Sequence, residues 1–423
     1  MSRISPFRKS AVTFLSTRDL ALLEHWTEAE WSKQYRWLDR SGLALPVAAQ
    51  LLQDGMEPRV PSGVVSALGR RLHDNQERMN AMLDSLNEIQ SRLIAGRIHF
   101  CCLKGFSLIP DCYSSIRERH QVDFDILVSP DEAIKATVIL EGLGYKKVYA
   151  DKSGEIRFAR PWTKHLTANS WLYGVSEGPA VELHTRLWEP ETGLVDFVLP
   201  GGSVNSIYTR VVCGVTMPCL APAWQFLHLL LHVFRHLLAS WVRLLSIYEI
   251  AVYRDREQEN DSLWHQVYKL ATTDVQLASA CALVMYIVNA EFPGKLPEPL
   301  GELCSAYLSF ESALWVKHFR EPWLYADPPG TKLALLVQRQ FCANPGTWRS
   351  YTRRRLLPLR SPHGLSEDAS TRARRTLQYV IDDLLYRLSR LGYHLMSSYD
   401  YLRSAARWRR LIQSNIAQAM LML

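Results

Sequence analysis

The chain lacks any Cys-x-x-Cys pair. Its eight cysteines, Cys101, Cys102, Cys112, Cys213, Cys219, Cys281, Cys304 and Cys342, are scattered, and the adjacent Cys101 and Cys102 cannot close a long loop. No disulfide framework is therefore expected, and a reducing cytoplasm is the natural compartment. Long apolar runs are also missing. The longest uncharged apolar stretch, Val275 to Ala290, falls short of the ~20 residues that a membrane-spanning helix needs. At the amino terminus Arg3, Arg8 and Lys9 precede only a few apolar residues, with no long apolar core and no small-residue cleavage site. No secretory leader is read there.

What is present is 423 residues with 48% hydrophobic content. That is enough for a large core arranged as two or three domains, or as one domain with helical extensions. Charge is unevenly spread. Between Arg349 and Arg410 there are fourteen arginines against five acidic residues, an excess of nine in a chain whose formal net charge is +7. Aromatic residues such as Trp348, Tyr351, Tyr386, Tyr399 and Trp408 interleave with these arginines. Such a module suits nucleic-acid phosphates or an anionic membrane surface. A surface helix bundle merely rich in arginine is the plainer account, because Leu377, Val380, Leu384, Leu385 and Leu388 mark a packed face.

The run Val122-Asp123-Phe124-Asp125-Ile126-Leu127-Val128 carries the most chemical information. In a strand, Asp123 and Asp125 point to one face roughly 7 Å apart, while Phe124 and Ile126 point to the other. An edge strand with one wet face explains a bare D-x-D equally well, but the apolar continuation reads as a mostly buried strand near a sheet centre. Buried carboxylates need a counter-charge, and a divalent cation that both can share fits the spacing. A second strand, Ala180 to Trp188, places Glu182 and His184 on one face by the same rule. Oxygen ligands of this kind favour Mg²⁺ or Mn²⁺ over zinc, with substrate phosphates completing the shell.

Upstream, His99 to Leu103 reads as a short apolar strand, Gly105 as a tight turn and the residues after it as a helix start. Free backbone N–H groups there suit phosphate oxygens, with Lys104 and Ser107 adding a charge and a hydroxyl. An ordinary Lys-Gly turn is the bland alternative. Arg119 feeds the D-x-D strand and is either a bidentate phosphate ligand or a solvated loop arginine.

These residues resemble a known family. The order L-K-G-x-S-L, an Arg four residues before D-x-D, then S-P-x-E-A, L-G-Y and V-E-L-H is similar to bacterial nucleotidyltransferase-fold proteins of the DNA polymerase β superfamily. The matching branch is an uncharacterised one that carries a Lys-Gly turn. The positions that match are Lys104, Gly105, Ser107, Arg119, Asp123, Asp125, Glu182 and His184. The resemblance covers about residues 75 to 240. It implies a small mixed sheet with helices on one side. It also implies two Mg²⁺ ions held by Asp123, Asp125 and a third carboxylate, Glu182, and transfer of a nucleoside monophosphate from an NTP. Lys104, Gly105, Ser107, Arg119 and His184 are then expected around the nucleotide. His184 departs from the pattern, and orienting substrate, weak ligation and packing all stay open for it.

Downstream, Ser129, Pro130 and Glu132 form a helix start with a capping box. The helix should run to Gly142 or Gly144 and bury Ile134, Val138 and Leu140 or Leu143. Strands are expected at Lys146 to Tyr149, near Ile156 to Trp162 and around His165 to Tyr173. The helical stretch Leu72 to Leu93 repeats Met79, Met82, Leu86, Ile89 and Leu93 as core. A helical stretch from Trp224 to Tyr253 carries His228, His232 and His236 at successive turns. No neighbouring carboxylate or cysteine completes a ligand set, so substrate lining and packed histidines stand beside a metal face.

The expected architecture is α+β, a polymerase β-like core flanked by helices. Its expected divisions are a helical region 1–96, a catalytic core 97–215, a helical domain 216–345 and an arginine-rich helical region 346–423. The expected activity is Mg²⁺-dependent transfer of AMP from ATP to a hydroxyl or phosphate on a small molecule, peptide, protein or tRNA end. The alternative is a non-catalytic scaffold of the same fold that binds RNA or a protein partner through its basic C-terminal region. No acceptor pocket is legible in the chain.

Overall fold

The computed structural model describes residues 4–53, 59–150, 154–160, 172–175, 179–188, 194–201, 206–342, 344–357 and 377–420. Four helices come first: α1 (Pro6–Thr17), α2 (Glu28–Ser41), α3 (Ala44–Gln53) and α4 (Ser62–Ala95). The start of α2 is a capping box, in which Thr27 and Glu30 satisfy each other's backbone N–H groups. The long α4 buries Met79, Met82, Leu86, Ile89 and Leu93, the stripe expected from helical spacing.

The sheet follows: β1 (Phe100–Leu103), β2 (Asp123–Val128), α5 (Ala133–Gly142), β3 (Lys146–Ala150), β4 (Glu155–Ala159), β5 (Ala180–His184), β6 (Ile207–Val212) and β7 (Val215–Leu220). The strand order is β3-β4-β5-β2-β1-β7-β6, which puts β2 at the centre of seven strands. β2 is parallel to β5 and antiparallel to β1, while β1 is parallel to β7, so the sheet is mixed. The burial of β2 from Phe124 onward follows from its central place. The edge strand β3 is exposed along its length and opens with Lys146 and Lys147, charges that discourage edge pairing.

A helical part then begins directly from β7 with α6 (Pro222–Leu238). It continues through α7 (Leu244–Arg256), α8 (Asp261–Ala271), α9 (Val275–Glu291), α10 (Glu298–Tyr307), α11 (Phe310–Leu324), α12 (Ala334–Gln338), α13 (Pro345–Leu356) and α14 (Leu377–Met420). α6 is apolar on most of its circumference and packs on α7, α8, α9 and α12. Among the described residues no helix is long and apolar enough to cross a membrane. The uncharged run in α9 is instead a buried core helix, from Leu277 to Val288. All eight cysteines are free.

Several local expectations change. α5 begins at Ala133, because the Ser129 hydroxyl donates to Glu132 (2.9 Å) and that carboxylate accepts from the backbone N–H of His99 (2.9 Å). The expected capping box does not form, and the Ser129–Glu132 pair instead ties the entry of α5 to the entry of β1. Its buried face is Ala133, Ala136 and Leu140, while Ile134 and Val138 are exposed. The packed face uses small residues that admit the neighbouring α4. β5 ends at His184, not at Trp188. The strand expected around 165–173 lies mostly outside the described residues, and Leu172 and Tyr173 sit in a turn. The β6–β7 hairpin was not anticipated. Because β7 is an inner strand, the sheet extends to Leu220, past the expected limit at 215. The stretch 224–253 is two helices, broken by a turn in which Ser240 takes a left-handed conformation (φ 56°).

Candidate active site

Sheet register brings the candidate residues to one level. Leu103 pairs with Asp125 across β1 and β2, Asp125 pairs with Glu182 across β2 and β5, and Glu182 pairs with Arg157 on β4. Lys104 leaves β1 at this level with φ 49° and ψ −160°, a conformation sparsely populated by residues with a Cβ. Gly105 follows at φ +57°, and a Cβ there would lie 2.5 Å from the Gln121 amide. Only glycine lets the chain turn this closely. The segment after it is a short 3₁₀ turn, Gly105–Leu108, and not the expected helix start. Ser107 is buried, and its hydroxyl has no hydrogen-bond partner among the described residues.

Asp125 is the hub. Lys104 Nζ lies 2.9 Å from Asp125 Oδ1, and His184 Nε2 lies 3.1 Å from the same oxygen. Burial alone would raise this carboxyl, but the lysine and the imidazole hold it well below the usual range. Its neighbours go the other way. Asp123 is raised by burial and by the Asp125 charge. Glu182 is pushed up to about 7 by burial, then by Asp125 and Asp123. Arg157 reaches Glu182 at 3.5 Å, but its side chain is 47% exposed, so water weakens the pair. Asp125, Glu182 and His184 each offer a ligand atom within 4.8 Å of the others, and Asp123 is not part of that group.

The one buried lysine bonded here goes to Asp125, and burial together with the Asp125 charge raises the carboxyls of Asp123 and Glu182, so the site is short of positive charge. A divalent cation fits this deficit: the donors are hard oxygens plus one imidazole, and the missing charge is positive.

Around Lys104 lies a wall that the sequence had shown only as a stripe. Lys104 Nζ is 3.4 Å from His232 Nδ1, and His232 Nε2 is 3.0 Å from His236 Nε2. An ammonium only donates, so His232 accepts at Nδ1, carries its proton on Nε2 and donates to His236. Burial, then the Lys104 charge, lowers all three imidazoles, His228 and His236 to about 3. They remain neutral at physiological pH, and among the described residues neither ring nitrogen of His228 has a hydrogen-bond partner.

Arg119 is neither solvated nor free. Its Nε donates to Glu249 Oε1 on α7 at 2.7 Å, and the Tyr113 hydroxyl donates to the same oxygen at 2.7 Å. Arg243, at the start of α7, is a residue that sequence reasoning missed. Its guanidinium lies 5.4 Å from the centre of the Trp241 ring, and among the described residues its buried Nε has no hydrogen-bond partner. Burial lowers it, and the largest opposing influence is the charge of Asp123. A cavity of about 430 Å³ lined by Tyr286, Phe310, Lys317 and Arg320 lies in the helical part, with no sheet residue in its wall.

A family model described as uncharacterised nucleotidyltransferase matches residues 27–293, more than half of the chain. The chain belongs to this nucleotidyltransferase family. The match begins at the N-cap of α2 and ends just after α9, so the helices on both flanks of the sheet belong to the family unit along with the strands. No curated protein and no solved structure matches the chain.

Proposed function

We propose that this nucleotidyltransferase moves a nucleoside monophosphate, AMP from ATP, to a hydroxyl or phosphate on an acceptor, by the two-metal chemistry of polymerase β-like enzymes. The observation that supports this reading is the charge deficit on the central strand: Asp123, Asp125 and Glu182 with one buried lysine between them. Asp123 and Asp125 would share the metal ions, and Glu182 would complete the carboxylate set once it loses its proton. Mg²⁺ or Mn²⁺ bound there would neutralise charge on the α-phosphate and acidify the acceptor hydroxyl.

The remaining roles belong to side chains. Lys104 would donate to triphosphate oxygens once a cation competes for Asp125, and Gly105 would keep the turn tight enough for that approach. Arg243 supplies the planar donor that the sequence had assigned to Arg119. His184 holds the Asp125 carboxylate in place, and the neutral histidine wall of α6 excludes water without adding charge.

In this reading the polymerase β-like core runs from residue 97 to the end of β7. The helical regions 1–96 and 221–345 support it, and the arginine-rich region 346–423 contributes to acceptor binding. The free cysteines suit a cytoplasmic setting.

The test is incubation of the purified protein with each α-³²P-labelled NTP and Mg²⁺ or Mn²⁺, alone and with cell extract. Label should move to an acceptor with wild type and stay on the NTP with Asp123→Asn or Asp125→Asn. Transfer retained in both folded variants would refute the assignment. No transfer by wild type, together with steeply salt-dependent RNA binding, would favour the scaffold reading.

A further inference from the structure

α14 has two apolar faces. One packs on the body of the protein: Ser397, Tyr401, Ser404 and Trp408 are buried, Ser397 Oγ accepts from the backbone N–H of Lys332 (3.0 Å), and the Trp408 ring meets Phe319 (5.8 Å). On the opposite side Ile381, Leu384, Leu388, Leu391, Leu395 and Leu402 are between 41% and 63% exposed. This overturns the expectation that Leu384, Leu385 and Leu388 mark a packed face.

The outward residues follow a seven-residue repeat. Ile381, Leu388, Leu395 and Leu402 recur at that interval, and Leu384 and Leu391 fall three residues after the first two. That is the a/d seam of a coiled coil, with apolar a positions through three heptads and apolar d positions through two; the third d position, Ser398, bonds to Lys332 and Leu356 of the body. With its apolar flanks the stripe amounts to roughly 600–900 Å² per chain, above the few hundred Å² a monomer ordinarily exposes and close to the ~800 Å² per partner of a stable interface.

We propose that this face of α14 is a homodimer interface, in which α14 of a second copy of this chain packs against it as an antiparallel coiled coil. A second copy is the occupant because the repeat is self-complementary and the area suffices for a dimer. A membrane face would need exposed cations beside the stripe. The arginines along the stripe, Arg387 and Arg390, are half-buried, with Arg390 over the Tyr393 ring, and the exposed Arg403, Arg407, Arg409 and Arg410 all follow its last residue. The antiparallel orientation follows from Arg403, Arg407, Arg409 and Arg410. A parallel pair would bring the four from each chain side by side.

Light scattering and sedimentation of the full chain at micromolar concentration should show a dimer, and Leu388→Glu combined with Leu395→Glu should give a monomer. Circular dichroism of that variant should show the helical content of wild type, which separates loss of the interface from loss of the helix. Under oxidation Leu391→Cys, near the centre of the seam, should form a disulfide-linked dimer, and Leu402→Cys, at one end, should not. A monomeric wild type would overturn the interface, as would a wild type that is monomeric in solution yet binds anionic phosphatidylserine vesicles. A link through position 402 would overturn the antiparallel arrangement.

Discussion

Glu182 gives the site a pH signature that can be worked out before any substrate is known. Its carboxyl is held at about 7 in the folded chain against an ordinary value of 4.5. Between those values the folded state binds a proton that the unfolded state has released, so this group lowers stability as pH rises through that window. Fully expressed above pH 7, the penalty is about 3 kcal/mol. The buried histidines act with the opposite sign. His228 and His236 sit at about 3 when folded, so the unfolded state holds more protons up to pH 6.5 and their contribution to stability grows with pH. The wild-type profile alone therefore mixes two slopes. Their separation requires Glu182→Gln, which keeps the shape and removes the titration. Melting midpoints of the two proteins from pH 5 to 8 should diverge, the variant gaining several degrees on wild type toward pH 8. Mg²⁺ should restore wild type and leave the variant nearly unaffected. Below pH 7 metal binding must displace the Glu182 proton, so affinity should fall about tenfold per pH unit. Parallel profiles for the two proteins, or Mg²⁺ affinity that ignores pH, would refute the reasoning.

Two further perturbations separate support from chemistry. Arg119→Ala leaves the Glu249 carboxylate buried without its cation and should cost about 3–5 kcal/mol of stability. Arg243→Ala should instead leave the melting midpoint within a degree or two and raise the KM for NTP, as read by steady-state transfer kinetics. Gly105→Ala must push the Gln121 amide off its bond to the Asp123 carbonyl (2.6 Å). With the backbone strain at a positive φ this should cost about 1–3 kcal/mol, seen as a lowered melting midpoint together with weaker Mg²⁺ binding.

The parts of this molecule legible in its sequence are those set by local period and central burial. The apolar continuation of Asp123-Phe124-Asp125 marked an inner strand, and β2 is the central one. Alternation placed Glu182 and His184 on one face, and both are among the three groups within 4.8 Å of one another. Period alone does not choose between two apolar faces. In α5 the packed face is the one lined with alanines, and in α14 the leucines that look like core point outward, because the other face already meets the body. The β6–β7 hairpin is short and carries Pro218 within a strand, which weakens the local strand signal.

The electrostatics of the site were not legible, because they depend on partners far along the chain. Arg119 finds Glu249 across 130 residues, and Lys104 finds His232 across 128. Those two contacts decide how charge is shared. With Arg119 consumed by Glu249, Lys104 is the one buried cation bonded to the aspartate pair among the described residues, and it bonds to Asp125. The imidazoles facing it stay neutral, so they neither compete for Asp125 nor relieve Asp123 and Glu182. A medium of packed, uncharged rings also strengthens every remaining charge interaction. One lysine with neutral walls therefore yields both extremes at once, an aspartate held ionised and two neighbours that resist ionisation. A polar, solvated wall in place of α6 would level the three carboxylates toward their ordinary values, and the demand for a cation would weaken with them.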